Sequence, residues 1–240
     1  MTIEDIKIVA VNSWGSWYPR DQKILNNLIE KFITNKDIKT AISTDQSQKV
    51  LAIISPHAGY VYSGPTAAYA FFPLQKYLDE YTSTSAPAYD KVIVIGPSHY
   101  FGMQNQIAAP NGNIYETPLG KIPIDTDFIN KLSSIAPLTF IKESEPFLEE
   151  HSVDNEIPFV QYVFQTNANS RANSNLNKFK IIPLIMGQFN SKEKIKEAAS
   201  KIATLIDNNT LIIVSSDFTH YGSNFSYMPF KNDTIANFLF

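Results

Sequence analysis

Residues 91–100 read KVIVIGPSHY. The apolar, β-branched run KVIVIG ends at a glycine and a proline, the pattern of a strand buried on both faces. A histidine, His99, follows it closely. Two further stretches repeat this order. VLAIIS (50–55), another run typical of a strand covered on both faces, leads into SPHAGYVYSG, which carries His57. LIIVSS (211–216) leads into DFTHYG, which carries Asp217 and His220. In open α/β sheets, ligands bind beyond the carboxyl ends of the strands. If these three strands are parallel neighbours, His57, His99 and His220 meet on one rim, with Asp217 beside them.

Outward from these strands the chain alternates between strand and helix. GSWYP (15–19) makes a turn, and from Asp21 to Thr34 the residues Ile24, Leu25, Leu28, Ile29, Phe32 and Ile33 share one helical face. NKDIKTAISTDQSQK (35–49) reads as a polar connection. A helix is expected to start near Pro65 and run through TAAYAFF, with Pro73 kinking or interrupting it. Weaker strands fall near 106–109 and 138–141, and Asp125 is placed to cap a helix over 126–135. A helix over 153–164 carries Pro158 as an interruption. IIPLIM (181–186) is another buried strand. Ser191 caps a helix with Ile195, Ala198, Ala199, Ile202, Leu205 and Ile206 on one face. TSTSAPA (82–88) and the polar run 167–177 read as loops. In NDTIANFLF (232–240), Asp233 is a cap candidate, with Ile235, Phe238 and Leu239 at helical spacing. The alternation predicts an α/β fold, a central largely parallel or mixed sheet flanked by helices. No linker divides the chain, so 1–240 reads as one domain.

Composition narrows the function. A chain of 240 residues can bury a core without disulfides or a structural metal. Its 16 Phe, 12 Tyr and 2 Trp exclude intrinsic disorder. With 20 basic and 23 acidic side chains the net charge is −3, which gives no basic footprint for nucleic acid. The absence of cysteine excludes disulfide frameworks, iron–sulfur clusters, thiolate zinc sites and a Cys nucleophile. Glu4 and Asp5 stand where a signal peptide is basic, and no apolar run is long enough to span a bilayer. A cytoplasmic protein is the expectation.

The chain has four histidines, and three of them follow strand candidates. The fourth, His151, lies in EEHSVDNEIPF beside Glu149 and Glu150, at the start of a helix. Neutral imidazoles are good ligands for iron, copper or zinc. A histidine that is not a ligand can move protons near neutral pH. Asp217 or Glu150 can orient a ring by accepting its second N–H. Each residue also has a plainer reading. A lone His in a strand-end loop is more often structural, His151 can serve as a hydrogen-bond partner at a helix start, and Asp217 can cap a turn. Three of four histidines at strand ends favour a functional site. Tyr60, Tyr62, Tyr100 and Tyr221 are candidates to line it. No G-x-S-x-G elbow is present, and the glycines of HAGYVYSG are wrongly spaced for a phosphate loop.

Seven stretches, in order, resemble the Memo family: GSWYP (15–19), SPHAGYVYSG (55–64), IGPSHY (95–100), IYETPLG (114–120), EHSVDNEIPF (150–159), IIPLIMG (181–187) and SSDFTHYG (215–222). The resemblance implies a fold similar to the catalytic subunit of extradiol, non-haem iron dioxygenases. It implies His57 and His99 as two metal ligands, Asp217 and His220 as a pair lining the pocket, and His151 as a histidine behind the ligands. The third ligand of the family is a Cys in a later segment, and many members have a second His where this chain has Tyr100. The chain is therefore expected to be a Memo-like domain lacking its C-terminal segment, with Fe(II) or Cu as cofactor, or none.

Three functions follow. The first is a metal-dependent redox protein or dioxygenase acting on a small molecule, with His220, Asp217 or His151 in acid–base roles. The second is a non-enzymatic module that binds a peptide or small anion on the same scaffold. Arg20 and Arg171 are the chain's only arginines, so no arginine clamp for phosphate is evident. The third is a zinc hydrolase with Asp217 or Glu150 as base. Neither a membrane nor a nucleic acid is an expected partner.

Overall fold

The structure, a computed structural model, describes residues 7–9, 11, 13–41, 49–81, 87–166 and 179–229. Its centre is a six-stranded mixed sheet. The strands are β2 (Ala52–Pro56), β3 (Lys91–Pro97), β4 (Ile107–Ala109), β7 (Phe140–Lys142), β8 (Lys180–Met186) and β9 (Thr210–Ser216). Their order is β2-β9-β3-β8-β4-β7. The first four run parallel, and β4 is antiparallel to β8. A three-stranded sheet joins β1 (Ile8–Val9), β5 (Ile114–Thr117) and β6 (Gly120–Pro123).

The helices gather in two groups. α1 (Gln22–Ile33), α3 (Tyr60–Glu80) and α5 (Ile157–Thr166) pack on one another, with α3 against β2. α4 (Thr126–Ile135) packs against β7, β8 and α6 (Lys192–Ala203). α2 (Lys36–Ala41) is a short helix inside the run read as a polar connection, anchored by the buried Ile38. Asp125 caps α4 by accepting from the Phe128 N–H at 3.1 Å, as the sequence indicates.

Four readings need correction. Neither Pro65 nor Pro73 starts or interrupts a helix, because α3 runs through both. Each proline forfeits one backbone hydrogen bond, at about 3 kcal/mol in a free helix. Burial of Ala67, Ala68, Phe71, Phe72, Leu74 and Leu78 along its length outweighs that loss. Pro158 sits in the first turn of α5, which begins at Ile157, and so does not break it. Strand β2 is not covered on both faces. It is an edge strand on which Ile53 and Ser55 are buried, while Ile54 is 59% exposed and Leu51, just before it, 67%. The stripe expected on α6 is also reduced, since Ala198 is its one buried residue and Ile195 faces solvent. Residues 167–177, the tract from Asp233 onward and most of TSTSAPA lie outside the described residues.

The parallel set carries the functional consequence. β9 lies between β2 and β3, so the loops that leave all three strands emerge side by side. His57, His99 and Asp217 are on those loops.

Candidate metal centre

Just past β2, the His57 ring is 2% exposed, and the loop around it is pinned by Asn155, whose Nδ2 donates to the His57 carbonyl at 2.6 Å. Past β3, the His99 ring lies 5.2 Å from that of His57. His151 enters from the turn before α5, with its ring 4.7 Å from His99 and 5.4 Å from His57. Each of the three offers one nitrogen, and the three nitrogens lie within 4.8 Å of one another. Asp217 reaches in from the middle strand. Its Oδ1 is 3.3 Å from His57 Nε2 and 3.2 Å from His99 Nε2.

Neighbours hold these rings in place. Glu150 accepts from the His99 N–H at 2.6 Å, from His99 Nδ1 at 2.9 Å and from the Ser152 N–H at 2.9 Å. Trp17 of the GSWYP turn stacks flat on His151 at 3.6 Å. Asp154 accepts from the Tyr18 hydroxyl at 2.5 Å and from the Tyr115 hydroxyl at 2.8 Å. That pair ties the His151 turn to the first helix's approach and to β5. Ser215 Oγ lies 2.7 Å from His57 Nδ1.

Electrostatics separates the three imidazoles. Desolvation lowers the pKa of His57, and the Asp217 charge only partly restores it. His151 falls to about 4, chiefly by burial, against the pull of Glu150. His99 is also desolvated, but the hydrogen bond and charge of Glu150, with help from Asp217, hold it above the ordinary histidine value. Burial pushes Asp217 and Glu150 upward, yet their imidazole and N–H partners win, so both stay below the usual carboxylate range. The site therefore holds two neutral rings, one basic ring and two carboxylates.

The donor set fits a metal ion. His57 Nε2 is buried and makes no well-directed hydrogen bond, although Asp217 Oδ1 lies 3.3 Å away, and His151 Nδ1 makes none to Glu150 Oε1, 3.6 Å away. Such orphaned nitrogens are costly unless something binds them. Two nitrogens bound about 2.1 Å from one ion lie at most about 4.2 Å apart, so a closure on the order of 1 Å suffices.

The structure thus brings together His57, His99, His151 and Asp217 but keeps His220 outside the three-histidine cluster. The His220 ring packs on Phe225 at 4.9 Å, and it lines an adjoining cavity of about 1380 Å³ with Asp217, Trp17, Tyr60, Tyr62 and Tyr221. The Tyr100 ring lies 5.8 Å from His151 and is exposed. Sequence reasoning passed over Asp154, Asn155, Glu156 and Ser215. Three of them sit in EHSVDNEIPF, whose density of polar residues inside a helix-start segment was the available signal.

Gly96, at the end of β3, makes room for this turn. A Cβ there would lie 2.7 Å from Ser152 Oγ and 3.2 Å from the Ser152 backbone carbon. Ser152 is fully buried and donates to the Pro97 carbonyl at 2.7 Å, so it cannot yield. Gly96→Ala is expected to cost about 1–3 kcal/mol by overpacking, read from urea denaturation. Unchanged stability would mean that the turn is looser than its contacts indicate.

Comparison with known proteins gives a consistent picture. The family model described as Memo-like protein matches residues 10–237. A MEMO1 family protein of Nitrosopumilus maritimus is 32% identical over 88% of this chain and 68% of its own length. One from Methanocaldococcus jannaschii is 30% identical over 86% of this chain and 67% of its own length. The memo-1 homolog of Caenorhabditis elegans is 27% identical over 90% of this chain, which spans about half of that protein, 53%.

Proposed function

Because the chain belongs to the Memo-like family, we propose that its histidine cluster is a redox-active site for iron or copper, acting on a small organic molecule in the adjoining cavity. One observation carries the reading: three imidazole nitrogens within 4.8 Å, with His57 Nε2 buried and making no well-directed hydrogen bond. Imidazole suits iron, copper and zinc alike. A bound iron or copper ion would supply Lewis acidity and one-electron chemistry to the molecule beside it.

The chain's own residues have distinct parts. His57 and His99 hold the ion, with the Asp217 carboxylate and His151 as the further donors within reach. Glu150 keeps His99 turned inward through Nδ1. Trp17 covers the outer face of His151 and excludes water from it. His220, on the cavity wall, moves protons to and from the bound molecule.

Two competing readings are weaker on specific grounds. Among the described residues no Lys or Arg lines the cavity, so an anionic peptide or small anion finds no such charge partner there. A zinc hydrolase needs a free carboxylate base, whereas Glu150 is engaged by His99 and Asp217 faces two imidazoles.

The test is elemental analysis after anaerobic loading with Fe(II), and separately with Cu(I). Wild type is expected to retain metal stoichiometrically, and His57→Ala combined with His99→Ala to lose it. Equal, negligible metal in both proteins would end the proposal.

A further inference from the structure

Behind the metal centre lies a second layer of buried polar groups. Ser215 Oγ stands at its middle. It lies 2.5 Å from the Ser152 carbonyl, 2.7 Å from His57 Nδ1 and 3.4 Å from Glu156 Oε1. Ser215 is 4% exposed and Glu156 1%. Glu156 Oε2 has no hydrogen-bond partner at all.

Counting protons decides who donates to whom. A serine hydroxyl has one proton, and a carbonyl can only accept. The 2.5 Å contact therefore takes the Ser215 proton to the Ser152 carbonyl. The 2.7 Å contact to His57 then requires a proton on Nδ1, donated to Ser215 Oγ. Nδ1–H leaves Nε2 with a lone pair, and that lone pair faces the cluster. The arrangement holds only if Glu156 does not draw the Ser215 proton toward itself.

We propose that Ser215 is a positioning residue that fixes His57 as its Nδ1–H tautomer, with Glu156 standing behind it as a neutral acid that leaves the serine proton on Ser152. Burial supports the neutral form, raising the Glu156 carboxyl to about 8. The tautomer itself is a property of the metal-free protein. Its consequence for metal affinity rests on the metal-site reading above.

The alternative tautomer has a ready home. With Ser215 removed, His57 Nδ1 loses its acceptor, and an Nε2 proton can point at Asp217 Oδ1, 3.3 Å away. That proton would occupy the place of the metal bond.

The test labels the four histidines with nitrogen-15 and reads imidazole nitrogen shifts in the metal-free 240-residue chain at pH 7. Wild type is expected to show His57 with a protonated Nδ1 and a bare Nε2. Ser215→Ala is expected to move the proton largely to Nε2, and Glu156→Gln, which stays neutral, to leave the wild-type pattern intact. A wild-type proton on Nε2, or no change in Ser215→Ala, would overturn the role of Ser215. A shift in Glu156→Gln would overturn the role given to Glu156. Fe(II) affinity, measured separately, is expected to fall at least tenfold in Ser215→Ala. A wild type that binds no metal but keeps the Nδ1–H tautomer would refute the metal-site reading and leave this inference standing.

Discussion

Glu150→Ala is expected to lower the free energy of unfolding by about 3 kcal/mol, and to release His99 from the centre. The carboxylate is buried and accepts three hydrogen bonds, two from backbone N–H groups and one from an imidazole. Alanine leaves the Ser152 N–H stranded in a fully buried turn. The cost at His99 is smaller than burial alone would suggest, because its side chain is 27% exposed and water can replace part of what is lost. The pKa of His99 should also fall, since Glu150 is the main reason it lies above the ordinary value. Urea denaturation gives the first result, and a proton NMR titration of the ring gives the second. A variant as stable as wild type, with an unmoved His99 midpoint, would show that Glu150 is solvated and not the clamp described.

Glu156→Gln should act in the opposite direction, and only at higher pH. The carboxyl of Glu156 is pushed from its ordinary 4.5 up to about 8 by burial. The folded state thus keeps a proton that the unfolded chain has already released. Its contribution to stability is complete below pH 4.5 and is lost as pH rises through 8. At 1.36 kcal/mol per pH unit across that interval, the wild type forfeits on the order of 3–5 kcal/mol by pH 9. Glutamine has nothing to ionise. The variant is expected to match wild type at pH 5 and to exceed it at pH 9. Asp154 adds a smaller decline of the same sign, from 3.8 to about 6, that both proteins share. Stability curves that run parallel from pH 5 to pH 9 would refute the assignment of a buried, neutral Glu156.

The strands that build the rim were readable because burial on both faces leaves a local mark. KVIVIG and IIPLIM became β3 and β8, the central strands, and most of their apolar residues are buried. VLAIIS has the same look, yet β2 is an edge strand, since a run of apolar residues cannot report what packs over it. The hairpin of β5 and β6 was missed as structure, although IYETPLG was noted as a motif. Its strands are short, and Tyr115 and Thr117 take their place through contacts with Asp154 and Gln161 far along the chain. The two prolines of α3 misled for a related reason, because their local cost is outweighed by tertiary burial.

At the site, His57, His99 and Asp217 were legible from strand direction alone, whereas His220, expected on the same rim, lines the adjoining cavity instead. His151 could not be placed by that logic, as it precedes a helix and reaches the others only through the fold of its turn. The supporting residues were harder still. Asp154 and Glu156 are acidic, and in a sequence an acidic residue reads as solvent-facing. The Tyr18 and Tyr115 hydroxyls, arriving from distant segments, make the burial of Asp154 tolerable, and Glu156 is buried as a neutral acid.

The separation of these segments also orders events in time. His57 meets a serine 158 residues further along, and His99 meets a glutamate 51 residues away. Long chain closures of this kind must be complete before the donors stand together. On the proposed reading, an ion would find its donors together only in the folded chain, unlike the ion of a zinc finger, which orders a short local segment. Added metal should raise the midpoint of thermal denaturation by mass action while leaving the refolding rate untouched, which makes occupancy a gauge of nativeness.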